Sequence, residues 1–273
     1  MRRIVPSLAI HALLALGAAL TLVPLLWMVS ASFMPTGEAN RFPPRLLPSH
    51  GTLEHYAALF TRLSLARPFM NSLIVTAVTT LASLLIVSMA GYAFAKLRFR
   101  GRERLFHALL LAIVIPTQVG MLPLFLLLQK IGVVNTLAAV VIPGLAPVFG
   151  IFMIRQYALS VPDDLLEAAR IDGASELQIF WTIVMPLLRP ILVTFAVFVF
   201  LSTWNDFMWP LIVLSDDRRY TLPVALANLA GEHVQDTELM MAGSVLTVLP
   251  VLLLFVALQR QYIRGVMMGG VKE

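Results

Sequence analysis

The chain has 273 residues, 59% of them hydrophobic and only 13% charged, with a formal charge of +5. A soluble domain carries about 25% charged residues, so this composition excludes an ordinary aqueous core. The absence of cysteine excludes disulfides, thiolate metal sites and cysteine nucleophiles.

A membrane-spanning helix needs about 20 mostly apolar residues. Six stretches qualify, over 8–31, 69–95, 105–129, 133–155, 188–214 and 239–260. All are too long for barrel strands, which need about 9–11 residues of alternating pattern. The expected fold is therefore all-α: a polytopic membrane protein with about six transmembrane helices, forming one transmembrane domain over 1–273.

Arg2-Arg3 followed by an apolar run imitates a secretory signal, but signal cores run only about 7–15 residues. The stretch 8–31 is longer and reads as a retained first span. Met34–Arg67, with Pro35, Pro43, Pro44 and Pro48, reads as an irregular external segment holding one short helix. Between spans two and three lie Lys96, Arg98, Arg100, Arg102 and Arg104. Basic residues mark the cytoplasmic side of short loops. Alternation from this loop puts both termini inside, with 13 of the 20 basic residues inside and 7 outside. Positive charge thus gathers at span ends, which argues against a nucleic-acid partner. Pro24, Pro116, Pro123, Pro143 and Pro147 fall within spans, where neighbouring groups can satisfy the freed carbonyls.

The segment 158–187 should be a cytoplasmic helix–turn–helix. Ser160 and Asp163 have capping-box spacing, and Pro162 suits a first turn. Asp163, Asp164 and Glu167 favour the positive end of that helix. Gly173 suits its C′ stop, and Ser175 with Gln178 forms a second capping-box pattern. Pro186 should end or kink the second helix.

Asp206 is the one acid within a span. It lies about 24 Å of helical rise from Pro190, near the outer surface. Trp204 and Trp209 beside it suit interfacial anchors or a stacking surface. Asn205, Asp206 and Trp204 are the candidate solute-pathway residues. His11, His50, His55, His107 and His233 are scattered and form no metal pattern. Gly265–Lys272 resembles a phosphate-binding loop but has Val271 where Lys must follow the second glycine.

Glu167-Ala168-Ala169, Asp172-Gly173-Ala174, Phe180, Ile183, Pro186 and Pro190 resemble the EAA loop of binding-protein-dependent ABC importer permeases, with Met185 replacing the usual Leu. Phe69–Leu73, Ala90–Phe94, Thr203–Pro210 and Gln259–Gly265 are similar to the carbohydrate-uptake permeases of maltose type. The resemblance implies an ATP-driven importer subunit for a sugar or sugar-like solute, working by alternating access in a bacterial or archaeal cytoplasmic membrane. Glu167, Ala168, Ala169, Asp172, Gly173 and Ala174 would couple it to the ATPase. It implies a second permease subunit, two ATPase subunits that bind ATP and Mg, and an external solute-binding protein. The chain itself is expected to be no enzyme and to bind no cofactor or metal. Its tail would reach toward the ATPase dimer. A non-sugar solute such as a glycerol phosphate, and a stand-alone secondary transporter, are the alternatives. The second would need midplane ionisable residues or inverted repeats.

Overall fold

In the computed structural model, the backbone is described for residues 4–43, 45–232 and 236–270, and side chains for 10–43, 45–229, 231 and 236–258. Arg2, Arg3, His233 and the tail residues Val271, Lys272 and Glu273 lie outside the described residues. Among those described the fold is helical, with no strand. The chain is an all-α, polytopic membrane protein. Five helical stretches are long and apolar enough to cross a bilayer, and a bent helix pair makes a sixth if it counts as one span.

The chain divides into two compact units, 1–66 with 225–251, and 67–224 with 252–273. The first unit contains α1 (Ile4–Ala31), the proline-rich segment with α2 (Glu54–Thr61), most of α12 (Leu222–Glu232) and the start of α13 (Thr237–Gly270). α1 is apolar on every side, and Leu13, Leu16, Leu20 and Leu26 are exposed, as expected of a helix whose solvent is lipid. At its end, Ala31, Met34 and Ala39 pack with Trp27 and Met241. The proline-rich segment is ordered by buried carboxylates. Glu38 accepts from Ser49 N–H (3.1 Å), Ser49 Oγ (3.0 Å) and Arg45 (3.1 Å), while Glu238 accepts from Ala39 N–H at 2.7 Å. Burial alone would raise the Glu38 pKa, but these donors together bring it below the usual carboxylate range.

The second unit contains α3 (Ala66–Lys96), α4 (Arg102–Ile113), α5 (Thr117–Lys130), α6 (Leu137–Val141), α7 (Val148–Ala158), α8 (Asp163–Ile171), α9 (Glu176–Ile179), α10 (Met185–Trp204) and α11 (Met208–Val213). α3 is rich in small residues and packs closely. A methyl placed on Gly91 would lie 2.7–3.0 Å from Ile154 and the Arg155 nitrogen.

Prolines set the interruptions. Where the sequence suggests one continuous span over 105–129, α4 and α5 meet at 106° across Val114–Pro116. A proline disfavours helical backbone in the residue before it and supplies no N–H. Pro143 lies in a 3-10 turn (Ile142–Gly144) between α6 and α7, and Pro147 is the N-cap of α7. Pro186 does not end its helix. α9 passes through a π turn (Phe180–Val184) into α10, making one apolar stretch, Glu176–Trp204. The wider turn rearranges the hydrogen-bond ladder where proline withholds a donor.

Candidate coupling site and solute cavity

The helix–turn–helix is built by local rules at its centre. Asp172 is the C-cap of α8, and Gly173 follows with φ +84°. Gly173 N–H donates to Arg170 O (3.0 Å) and Ala174 N–H to Ala169 O (2.9 Å). This pair of bonds is the Schellman arrangement, which needs a left-handed residue at C′. Ser175 then caps α9 with both bonds of a capping box to Gln178. The corresponding box proposed for Ser160 and Asp163 is absent. Ser160 Oγ donates instead to Tyr157 O (2.7 Å), and α8 starts only after extended Pro162. With Pro162 itself as N-cap, Ser160 stands two residues too early to cap the helix.

Long-range bonds brace the hairpin. Lys96, at the end of α3, donates to Val161 O (2.6 Å) and Leu159 O (3.4 Å) and pairs with Asp163 at 2.7 Å. Its hydrogen bond and charge hold the Asp163 carboxyl below the usual carboxylate range. Arg170 pairs with Glu176 (2.7 Å) across the turn, and Tyr92 donates to the same carboxylate at 2.8 Å. The Glu176 bond raises the Arg170 pKa above its ordinary value. Arg155 donates to Phe94 O (3.2 Å) and lies 4.0 Å over the Phe106 ring. Leu166, Ile179, Phe180 and Val184 are buried with Tyr92, Ala95 and Ala158, and Ala169 and Ala174 pack against them.

The candidate coupling residues therefore divide. Ala169 and Ala174 seat the hairpin, while Glu167, Ala168, Asp172 and Gly173 are exposed. Leu165 is also exposed, and Ile171 is 87% exposed. Leu165, Ala168 and Ile171 are three apart and share a face, an unusual display for short helix residues outside a membrane.

Among the solute-pathway candidates, Asp206 is placed between α10 and α11, where it accepts from Trp209 N–H at 3.4 Å. It lines a cavity of about 530 Å³ together with Thr79, Gln118, Ser202, Thr203 and Trp209. Trp204 does not line it. That ring is buried and packs on Phe69 (5.8 Å) and Phe200 (5.9 Å). Asn205 is exposed and bonds back to Leu201 O (2.8 Å). Trp209 is buried with its indole N–H on Ala139 O (3.0 Å), so it is packed within this unit. Sequence reasoning used Lys96 and Arg170 only for topology and Tyr92 only within the stretch Ala90–Phe94, and passed over Glu176, Thr79 and Gln118. The Lys96–Asp163 and Tyr92–Glu176 bonds join residues 67 and 84 positions apart, which no local pattern discloses.

Interrupted apolar helices around a cavity with polar groups in its wall, and a braced amphipathic hairpin between two spans, define a membrane transport component. Residues 88–267 match the family described as binding-protein-dependent transport system inner membrane component, and the chain belongs to that family. It is a permease subunit of an ABC importer. It is 41% identical over 258 residues to the arabinooligosaccharides transport system permease protein of Halalkalibacterium halodurans, covering 93% of this chain and 92% of that one. It is 35% identical over 272 residues to the lactose transport system permease protein of Rhizobium radiobacter, covering 100% and 98%. Its fold is similar to a chain of a bacterial ABC transporter involved in import of the acidic polysaccharide alginate. The TM-score is 0.83 at 24% identity, covering 94% of this chain and 96% of that one.

Proposed function

We propose that this permease takes up a sugar or short oligosaccharide by alternating access in the cytoplasmic membrane, with both termini cytoplasmic. The printed solutes of the two relatives, lactose and arabinooligosaccharides, support the solute class. The partners are a second permease subunit, two ATPase subunits carrying ATP and Mg, and an external solute-binding protein. The carrying observation for coupling is the exposed face of α8, Leu165, Ala168 and Ile171, flanked by Glu167 and Asp172. An apolar face with acidic flanks on a rigidly braced turn suits docking to another protein.

α9 continues through the π turn into the span of α10. A displacement of the hairpin by the ATPase would therefore move a transmembrane helix directly. Glu167, Ala168, Asp172 and Gly173 would form the docking edge, and Ala169 and Ala174 would hold it to the span ends.

The test is to purify the tagged chain from native membranes in mild detergent. ATPase and second-permease subunits should co-purify, and proteoliposomes of the complex should take up lactose or arabinotriose only with ATP and binding protein. Solitary uptake by this chain under an ion gradient would overturn the assignment of the driving force.

A further inference from the structure

The cavity at the α10–α11 break has an uneven chemistry. Thr79, on α3, is 2% exposed, and its hydroxyl makes no hydrogen bond among the described residues. A buried hydroxyl without a partner costs about 1–3 kcal/mol, and Thr79 lines the cavity beside Gln118, Ser202 and Thr203. Gln118, Ser202 and Thr203 offer amide and hydroxyl groups to a hydroxyl-bearing guest. Trp209 offers the same space an aromatic surface whose orientation is fixed by its bond to Ala139 O. Among the described lining residues Asp206 alone is charged, and no lysine or arginine faces the space. A volume of about 530 Å³ falls within the usual range for small-molecule sites, about 300–1,000 Å³.

We propose that this cavity is a solute subsite carried by this subunit, in which Asp206 admits neutral or amino-bearing, hydroxyl-rich solutes and rejects anionic ones. The inference rests on the transport reading and adds to it a charge rule. A carboxylate accepts hydrogen bonds from hydroxyl or ammonium donors but repels phosphate and carboxylate groups. Within low-dielectric walls that repulsion is little screened. A uronate oligomer or a glycerol phosphate would meet the wrong sign of charge here.

The rival reading is that Asp206 only holds the start of α11 through Trp209 N–H. Asp206→Asn separates the two, since the amide oxygen still accepts that bond while the charge disappears.

The chain has no native cysteine, so a single thiol can report the local field. Thr203→Cys, with Ser202→Cys as a second reporter, is placed in the assembled complex in membranes. Each is reacted with 2-aminoethyl and 2-sulfonatoethyl methanethiosulfonate. Rates are divided by those of free cysteine. The ammonium reagent should be favoured by about tenfold or more, and Asp206→Asn should bring the ratio close to one. A ratio near one with Asp206 present, a preference that survives Asp206→Asn, or no reaction at either position would overturn the proposal. ATP-driven sugar uptake by a complex without the charge preference would sink the subsite alone. A preference in a complex that takes up no sugar would leave the subsite and sink the transport reading.

Discussion

Two glycines of the second unit do opposite jobs, and the difference predicts opposite failures. Gly173 has open space where a side chain would go but a φ of +84°. Gly91 has no such backbone demand, and its added methyl would meet Ile154 and Arg155 at 2.7–3.0 Å. Gly173→Val should strain the turn by about 1–2 kcal/mol and displace the docking edge without disturbing the membrane core. The expected outcome is a normally abundant protein with weakened ATPase retention or hydrolysis uncoupled from uptake. Gly91→Val should overpack α3 against α7 at about 1–3 kcal/mol, lowering abundance and melting temperature. Membrane abundance, ATPase co-purification and uptake measured for both variants check the pair. Normal retention and uptake by abundant Gly173→Val would remove this turn from the coupling path.

At the scale of elements, Lys96 ties the start of the hairpin to the end of α3. Lys96 is nearly buried and gathers Leu159 O, Val161 O and Asp163 around its ammonium. Lys96→Met should release the start of α8, and the exchange protection of residues 159–166 should fall relative to the unaltered chain. Because Asp163 is held below its ordinary pKa, its contribution is present above the usual carboxylate range and lost as pH falls through the lowered value. Coupling should therefore be flat between about pH 6 and 8 as far as this pair is concerned. A Lys96→Met defect that appears at only one end of that window would point to another group.

The same element shows what sequence can and cannot disclose. Gly173 and the Ser175–Gln178 box were legible because their bonds close within three to five residues. Pro162 was legible as a helix-start residue and Pro186 as an interruption, but a missing N–H does not say which cap or turn replaces it. Ser160 therefore fails as a cap, and the π turn at 180–184 appears only when the whole ladder is laid out. The Lys96 brace and the Thr79–Asp206 cavity join residues far apart in sequence and depend on packing.

For the whole molecule, the decisive quantity is the parity of spans. Among the described residues, five stretches are long and apolar enough to cross, and the α4–α5 pair makes six only if it counts as a span. The two helices have 12 and 14 residues, so each is about 18–21 Å long, short of the roughly 30 Å hydrocarbon core. Their 106° bend is compatible by shape with either a broken span or a re-entrant loop. The consequences differ sharply. If the pair crosses, Ile131 lies outside and Glu167 lies in the cytoplasm, where an ATPase can reach α8. If the pair re-enters, Ile131 stays inside and the hairpin faces out, where no ATP is hydrolysed. The basic loop from Lys96 to Arg104 argues for a cytoplasmic starting side in both cases. We expect the pair to cross. In spheroplasts, a membrane-impermeant maleimide should label Ile131→Cys and leave Arg100→Cys and Glu167→Cys unlabelled until the membrane is permeabilised. Labelling of Glu167→Cys with protection of Ile131→Cys would invert the second half of the chain and separate α8 from any cytoplasmic ATPase.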